Sequence, residues 1–196
     1  MGQSFLVDDR ALTNEDSDAR SDLELIAAIN RGDVAAFEVL YFRYRDWVTN
    51  LAYRFTGDAD AALDVLQETF LYFLRKFPGF RLTANLKTFL YPAVKNLSIA
   101  ARRKSERYQA SRSELDRIEQ TAAPEDAWGQ TTELETVLSA LSQEHRDVLL
   151  LRFVDGLSLA EIAEAMQIPL GTVKSRLHNA LDVLRKDNRT KKYFDR

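Results

Sequence analysis

The chain has 196 residues, enough for one ordinary domain or two small ones, and 45% of them are hydrophobic, which is sufficient for packed cores. The absence of cysteine excludes a disulfide framework, a thiolate zinc site and a cysteine nucleophile. The net charge of −3 hides two basic blocks, since residues 72–112 carry 10 basic residues against 1 acidic, and residues 171–196 carry 8 against 3. Local charge sets the field at a surface, so these blocks favour a polyanionic partner, although solvated helix faces would look the same.

Residues 1–20 are polar and acidic, and we expect a disordered extension without a secretory signal. No uncharged apolar run approaches the roughly 18 residues that cross a bilayer, so a cytoplasmic location is expected.

Helical periodicity begins at Asp22 and is interrupted at Gly32-Asp33 and Gly57-Asp58. An amphipathic helix is predicted over 61–77, a Pro-Gly loop over 77–80 and a further helix over 85–104. Residues 105–130 read as a linker, and helices resume until about Lys186. No alternating strand pattern occurs. The predicted fold class is therefore all-α, with small helical domains at 21–104 and 131–188, joined by a flexible linker and followed by a basic tail at 189–196.

The C-terminal half contains a predicted helix-turn-helix. Ser158-Leu-Ala-Glu161 has the spacing of a capping box, and Pro169 fixes the backbone near the start of a second helix. A step of about 100° per residue places four polar side chains opposite the apolar stripe of that helix, with a cation on each flank. The four are Thr172, Ser175, His178 and Asn179, and the cations are Lys174 and Arg176.

This half resembles the promoter-reading fourth domain of the extracytoplasmic-function (ECF) sigma factors of bacterial RNA polymerase. The resemblance is carried by residues 141–166, LSQEHRDVLLLRFVDGLSLAEIAEAM, and by the run Gly171-Thr-Val-Lys-Ser-Arg-Leu-His178. It implies that the six polar and basic residues of the second helix contact the minus-thirty-five element. LuxR-type response regulators carry a similar helix.

The helix over 61–77 is predicted to bury Leu63, Leu66, Phe70, Phe73 and Leu74, with Asp64, Glu68 and Tyr72 on its opposite face and Gln67 at the edge. Such an acidic pair is often only a solvated face. The run Asp64-Val-Leu-Gln-Glu-Thr-Phe70 resembles the second-domain segment of these sigma factors, which implies that Asp64, Gln67 and Glu68 contact core polymerase. The family has two further acidic positions just upstream, where this chain has Ala61-Ala62-Leu63.

The helix over 85–104 is predicted to turn Thr88, Tyr91, Lys95, Ser98 and Arg102 outward, followed by Arg103 and Lys104. Cations interleaved with aromatic side chains suit melted DNA. This helix and the loop before it resemble the segments that open the minus-ten element and hold a flipped base. Phe89 replaces the usual Trp, and Pro92 is expected to kink the helix. The residues implied in minus-ten binding are Arg75, Lys76, Phe80, Arg81, Tyr91, Lys95, Asn96, Ser98, Arg102 and Arg103.

The sequence therefore predicts an ECF-type sigma factor whose partners are core RNA polymerase, through the largest-subunit clamp helices and the flap, promoter DNA and an anti-sigma factor. The alternative is a LuxR-like transcriptional regulator with an unrelated helical N-terminal domain. No catalytic activity, metal or cofactor is expected, because the chain has only two histidines, His145 and His178, and neither a phosphate-cradling glycine loop nor metal-ligand spacing.

Overall fold

A computed structural model describes residues 18–115, 137–187 and 189–191, and side chains up to residue 108 in the first of these ranges. Seven helices, and no strand, lie within these residues. Residues 1–17 of the predicted extension, most of the predicted linker and most of the predicted tail lie outside the described residues. The helices are α1 (Asp22–Ile29), α2 (Val34–Thr56), α3 (Ala59–Leu74), α4 (Leu86–Leu115), α5 (Gln143–Phe153), α6 (Leu159–Met166) and α7 (Leu170–Lys186).

The helices begin at short polar caps. Ser21 caps α1 and Ser158 caps α6 with a complete capping box, and Asp33 and Asp58 accept from the first turns of α2 and α3. Gly57 ends α2 at φ +67°, a left-handed conformation that costs glycine little. These local signals explain why the predicted breaks at 32–33 and 57–58 are confirmed.

Helices α1 to α4, residues 18–108, form what we call the N-terminal unit. α2, α3 and α4 pack against one another around a cluster of aromatic rings. Phe73 is fully buried at its centre, with ring centroids 5.2–6.1 Å from those of Phe37, Phe77, Phe80 and Phe89. This cluster fixes the loop between α3 and α4, because both Phe77 and Phe80 belong to that loop.

Two features of the N-terminal unit differ from the prediction. Leu63 and Leu74 are 48% and 45% exposed, so the expectation that α3 buries them is wrong. The buried face is rotated away from them and consists of Ala62, Val65, Leu66, Thr69, Phe70 and Phe73. α4 continues through Pro92 to Leu115, past the predicted end at Lys104.

Helices α5 to α7 and residues 137–142 form the C-terminal unit, which has a small core of its own made of Val137, Leu141, Leu149, Ala180 and Leu184. The two units also share one buried cluster, in which Tyr91 and Val48 of the N-terminal unit join Val148, Leu157 and Ile162 of the C-terminal unit. α6 packs directly on α4. The chain is therefore closed, because the C-terminal unit packs against α4, the helix that carries most of the first basic block.

Candidate DNA and polymerase interfaces

The three residues predicted to contact polymerase share the exposed face of α3. Asp64, Gln67 and Glu68 all reach solvent and line an open groove of about 840 Å³ between α3 and the C-terminal part of α4. Lys104 and Arg107 line the opposite wall of this groove, beside Leu97 and Tyr108. The groove thus has an acidic wall and a basic wall above an apolar floor, a composition suited to a charged amphipathic helix of a partner protein.

The loop between α3 and α4 presents its cations outward. Arg75, Lys76 and Arg81 are exposed, and the ammonium of Lys76 lies 4.4 Å from the centroid of the Tyr72 ring. Phe80 is half-buried because it packs into the aromatic cluster, with its ring centroid 4.7 Å from that of Phe89.

Asn30, at the C-terminal end of α1, holds this loop in place. Its Nδ2 donates to the carbonyl oxygen of Phe80 at 2.9 Å, and its Oδ1 accepts from the backbone N–H of Gly79 at 2.6 Å. The two residues are about 50 positions from Asn30 in the chain, so the sequence offers no local signal for the contact. The sequence prediction missed Asn30.

The predicted outward stripe of α4 is only partly exposed. Asn96, Arg102 and Arg103 are exposed and Lys95 is half-buried. The expectation that Thr88, Tyr91 and Ser98 face outward is wrong for this closed chain, since they are only 4%, 1% and 0% exposed. The physical reason is that α4 is covered on more than one side, because it packs on α2 and α3 and also on α6 of the C-terminal unit.

Tyr91 lies at the junction of the units. Its ring centroid is 6.3 Å from that of Phe55 on α2, and its hydroxyl lies 3.5 Å from Oδ2 of Asp147 on α5. Burial raises the pKa of Tyr91 above its usual range, and the nearby Asp147 adds to this effect. Burial also raises the pKa of Asp147, against the opposing charge of Lys95, whose Nζ is 3.8 Å from its carboxylate.

A second carboxylate of the C-terminal unit, that of Asp155, accepts two hydrogen bonds from side chains of the N-terminal unit. Asp155, in the connection between α5 and α6, accepts from Nε1 of Trp47 at 2.8 Å and from Nη2 of Arg54 at 3.0 Å. Its main-chain oxygen accepts from Nζ of Lys87 at 2.8 Å. Its side chain is 3% exposed. The sequence prediction missed this group, because the three donors lie 68 to 108 positions from Asp155 in the chain.

The helix-turn-helix consists of α6 and α7. Gln167, at φ +55°, makes the left-handed turn that ends α6, and Pro169 precedes the first residue of α7. Val173, Ala180 and Leu184 of α7 are buried, as the predicted inward face requires.

The polar face of α7 points to solvent. Lys174, Ser175, His178 and Asn179 are exposed, and Thr172 and Arg176 are half-buried. Arg176 pairs with Glu144 of α5, with Nη2 and Oε2 2.5 Å apart. Of the six side chains of α7 predicted to contact DNA, only Arg176 forms an ion pair within the part of the chain that the structure describes.

Neither a metal site nor a membrane span is found within residues 18–115, 137–187 and 189–191. No group of three or more Asp, Glu or His side chains there could hold a metal ion, and none of the helices is both long and apolar enough to cross a bilayer.

Comparison with known proteins matches both halves of the chain. Residues 40–108 match the family model Sigma-70 region 2, and residues 137–186 match Sigma-70, region 4. The order of the two regions is the one predicted from the motifs. A LuxR-like regulator with an unrelated N-terminal domain is not favoured, because the N-terminal half matches a sigma region as well.

Similar proteins and similar solved structures agree with the match to the two sigma-70 regions. The ECF RNA polymerase sigma factor SigW of Bacillus subtilis is 33% identical over 177 residues, covering 84% of this chain and 95% of SigW. The ECF RNA polymerase sigma-E factor of Escherichia coli K12 is 30% identical over 182 residues, covering 86% and 94%. The fold resembles the sigma factor RpoE in complex with the anti-sigma factor NepR from Bartonella quintana (TM-score 0.58, 24% identity, 78% of this chain and 96% of that one). It also resembles CnrH in complex with the cytosolic domain of CnrY (TM-score 0.57, 21% identity, 89% and 97%). The chain belongs to the ECF sigma factors of bacterial RNA polymerase.

Proposed function

We propose that this sigma factor docks on the clamp helices of the polymerase largest subunit through Asp64, Gln67 and Glu68 of α3. The observation that carries the proposal is that these three side chains share one exposed face and form the acidic wall of the α3–α4 groove. A groove with walls of opposite charge fixes the orientation of a charged helix as well as attracting it. Ala61-Ala62-Leu63 adds no further acidic group, so Asp64 and Glu68 supply the negative charge of the groove wall, with the exposed Asp60 one turn before Asp64.

The proposed DNA contacts divide between the two units. The loop over residues 75–81 and the exposed cations of α4 bind and open the minus-ten element, with Phe80 and Tyr91 as flat partners for unstacked bases. α7 enters the major groove of the minus-thirty-five element, where Ser175 and Asn179 reach base edges and Lys174 and Arg176 contact phosphates. In the closed chain Tyr91 is buried, so minus-ten binding requires the C-terminal unit to leave α4.

The proposed organisation follows the predicted one: an acidic extension at 1–20, sigma domain 2 at 21–104, a linker at 105–130, sigma domain 4 at 131–188 and a basic tail at 189–196. α4 carries the first domain into the linker, as far as Leu115. We further propose that the chain acts in the cytoplasm, where polymerase is, and has no catalytic activity of its own. Two of the solved structures that it resembles are complexes with an anti-sigma factor and with the cytosolic domain of CnrY, which supports a protein inhibitor as a partner.

Co-purification with core polymerase tests the docking face. The double variant Asp64→Asn, Glu68→Gln should lose affinity for core polymerase by on the order of tenfold, because charged contacts at the centre of an interface dominate binding. Glu38→Gln is a matched control, since Glu38 is an exposed carboxylate on α2, outside the groove. Equal retention of the double variant and the wild type would disprove the assignment of this face.

A further inference from the structure

Donor side chains of the N-terminal unit surround Asp155 and form a site that suits an anionic group. Trp47 and Arg54 of α2 and Lys87 of α4 converge on this one residue, with donor–acceptor distances of 2.8, 3.0 and 2.8 Å. We call these three side chains the anion site. The Lys87 ammonium also lies 5.7 Å from the centroid of the Trp47 ring, so the site has a cation on an aromatic wall.

The carboxylate fits this site incompletely. A guanidinium usually meets a carboxylate through two parallel hydrogen bonds, but Arg54 pairs only through Nη2, and its Nε is buried without a hydrogen-bond partner. Lys87 contacts the main-chain oxygen of Asp155 rather than its carboxylate. Arg54 also interacts electrostatically with the carboxylate of Asp147 on α5, but its Nε–H has no hydrogen-bond partner on either carboxylate.

The anion site is continuous with the predicted minus-ten surface. Lys87 and Lys95 lie two helical turns apart on α4, with Tyr91 between them, and Lys95 is one of the residues assigned to DNA. A strand that followed the cations of α4 from Arg103 through Lys95 would meet Lys87 next. In the closed chain that path is blocked, because the loop carrying Asp155 lies on Lys87 and α5 lies beside Tyr91.

We propose that Trp47, Arg54 and Lys87 form a phosphate site for the promoter strand, which Asp155 occupies in the free chain. Closure of the C-terminal unit and DNA binding then compete for the same donors. A phosphodiester group has two unesterified oxygens with room for several donors, so it can use the Arg54 Nε–H that Asp155 leaves unpaired. The proposal rests on the proposed function, because it assumes that α4 binds the promoter strand.

The first test is Asp155→Asn in the full chain, with a fluorescein-labelled single-stranded DNA 20-mer of mixed sequence as the probe and fluorescence anisotropy as the readout. Removing the competing charge should tighten binding by on the order of tenfold, since the carboxylate makes two charge-assisted hydrogen bonds. Glu38→Gln makes the same change in net charge on an exposed side chain and should leave binding unchanged. An unchanged affinity in Asp155→Asn would overturn the competition.

The second test separates a phosphate site from a mere latch. Arg54→Gln combined with Asp155→Asn should lose most of the gain, and its dependence of log affinity on log salt should be shallower by about 0.7, the contribution of one phosphate on a single strand. If Arg54 only held the C-terminal unit closed, the double variant would bind as tightly as Asp155→Asn and with the same salt slope. That result would show that Arg54 does not bind a DNA phosphate, and it would overturn the phosphate site.

The proposed function has its own readout in the same background. Lys95→Gln with Asp155→Asn should weaken binding if α4 contacts DNA. If it does not, while Arg54→Gln does, the assignment of Lys95 to DNA fails and the anion site stands. Thermal melting followed by circular dichroism checks that each variant folds. If Asp155→Asn does not fold, Asp155→Ser removes the same carboxylate and leaves Trp47, Arg54 and Lys87 in place. It should tighten binding by a similar factor, and unchanged binding there would overturn the proposal.

Discussion

Asn30→Ala tests how the loop over residues 75–81, which we propose binds the minus-ten element, is held in place. The substitution removes both hydrogen bonds between α1 and the loop, to Phe80 at 2.9 Å and to Gly79 at 2.6 Å. A neutral hydrogen bond contributes about 0.5–1.5 kcal/mol net to stability. Gly79 is exposed, so water can replace the contact to its N–H after the substitution. The expected loss is therefore about 1–2 kcal/mol.

The expected loss converts to a measurable melting shift. In a chain of this size, 1 kcal/mol lowers the melting temperature by about 2–4 °C, so Asn30→Ala should melt about 2–8 °C below the wild type. Asn30→Asp is the matched variant, because it keeps an acceptor for the Gly79 N–H and loses the donor to Phe80. It should retain about half of the stability that Asn30→Ala loses.

Asn30→Ala should affect promoter opening and leave polymerase binding intact. Asn30→Ala should reduce promoter opening in genome-wide run-off transcription with core polymerase, because Phe80 and Arg81 no longer have one fixed position. Binding to core polymerase should not change, since Asp64 and Glu68 are on the exposed face of a different helix. Wild-type melting and run-off activity of Asn30→Ala would refute the reasoning, as would an equal loss of polymerase binding.

Three further predictions concern the C-terminal unit. Burial raises the pKa of Asp147, so the folded chain binds this proton more tightly than the unfolded chain, and the contribution to stability is lost as the pH rises through the folded-state pKa. Asp147→Asn should therefore raise the melting temperature near neutral pH, and the difference should vanish in acid; a constant difference would contradict this. Glu144→Gln frees Arg176 from its ion pair and should tighten binding to minus-thirty-five duplex DNA about twofold to fivefold in an anisotropy titration. Lys174→Ala should reduce the salt slope of duplex binding by about 0.9, whereas Asn179→Ala should shift base preference in a binding-site selection and leave that slope unchanged.

The starts and ends of helices could be predicted well because the signals for them lie within a few neighbouring residues. The capping box of Ser158 and Glu161 and the break at Gly57 each involve residues within one turn, and both are confirmed. The family resemblance predicted the two sigma regions in the right order. The exposed faces of α3 and α7 follow from a single apolar stripe on each helix, although the buried face of α3 is rotated away from Leu63 and Leu74 toward Ala62 and Thr69.

The faces of α4 could not be predicted in the same way. Helical periodicity assumes that one stripe packs and the rest is solvated, but α4 is covered by a second unit whose position no local pattern specifies. Tyr91 was therefore assigned to the surface, although it is buried. The contacts of Asp155 with Trp47 and of Asn30 with Phe80 join residues far apart in the chain. An Asp or an Asn alone does not show in the sequence which distant residue it will contact.

The shared core has a consequence for synthesis of the chain. Tyr91 is made 82 residues before Val173, although both belong to the same buried cluster. At about 5–20 residues per second, the N-terminal helices wait roughly 4–16 s for the residues that cover them. During that interval on the ribosome, the face of α4 that we propose binds the minus-ten element is not yet covered by the C-terminal unit. A newly made sigma factor can therefore meet polymerase or an inhibitor before it has closed for the first time.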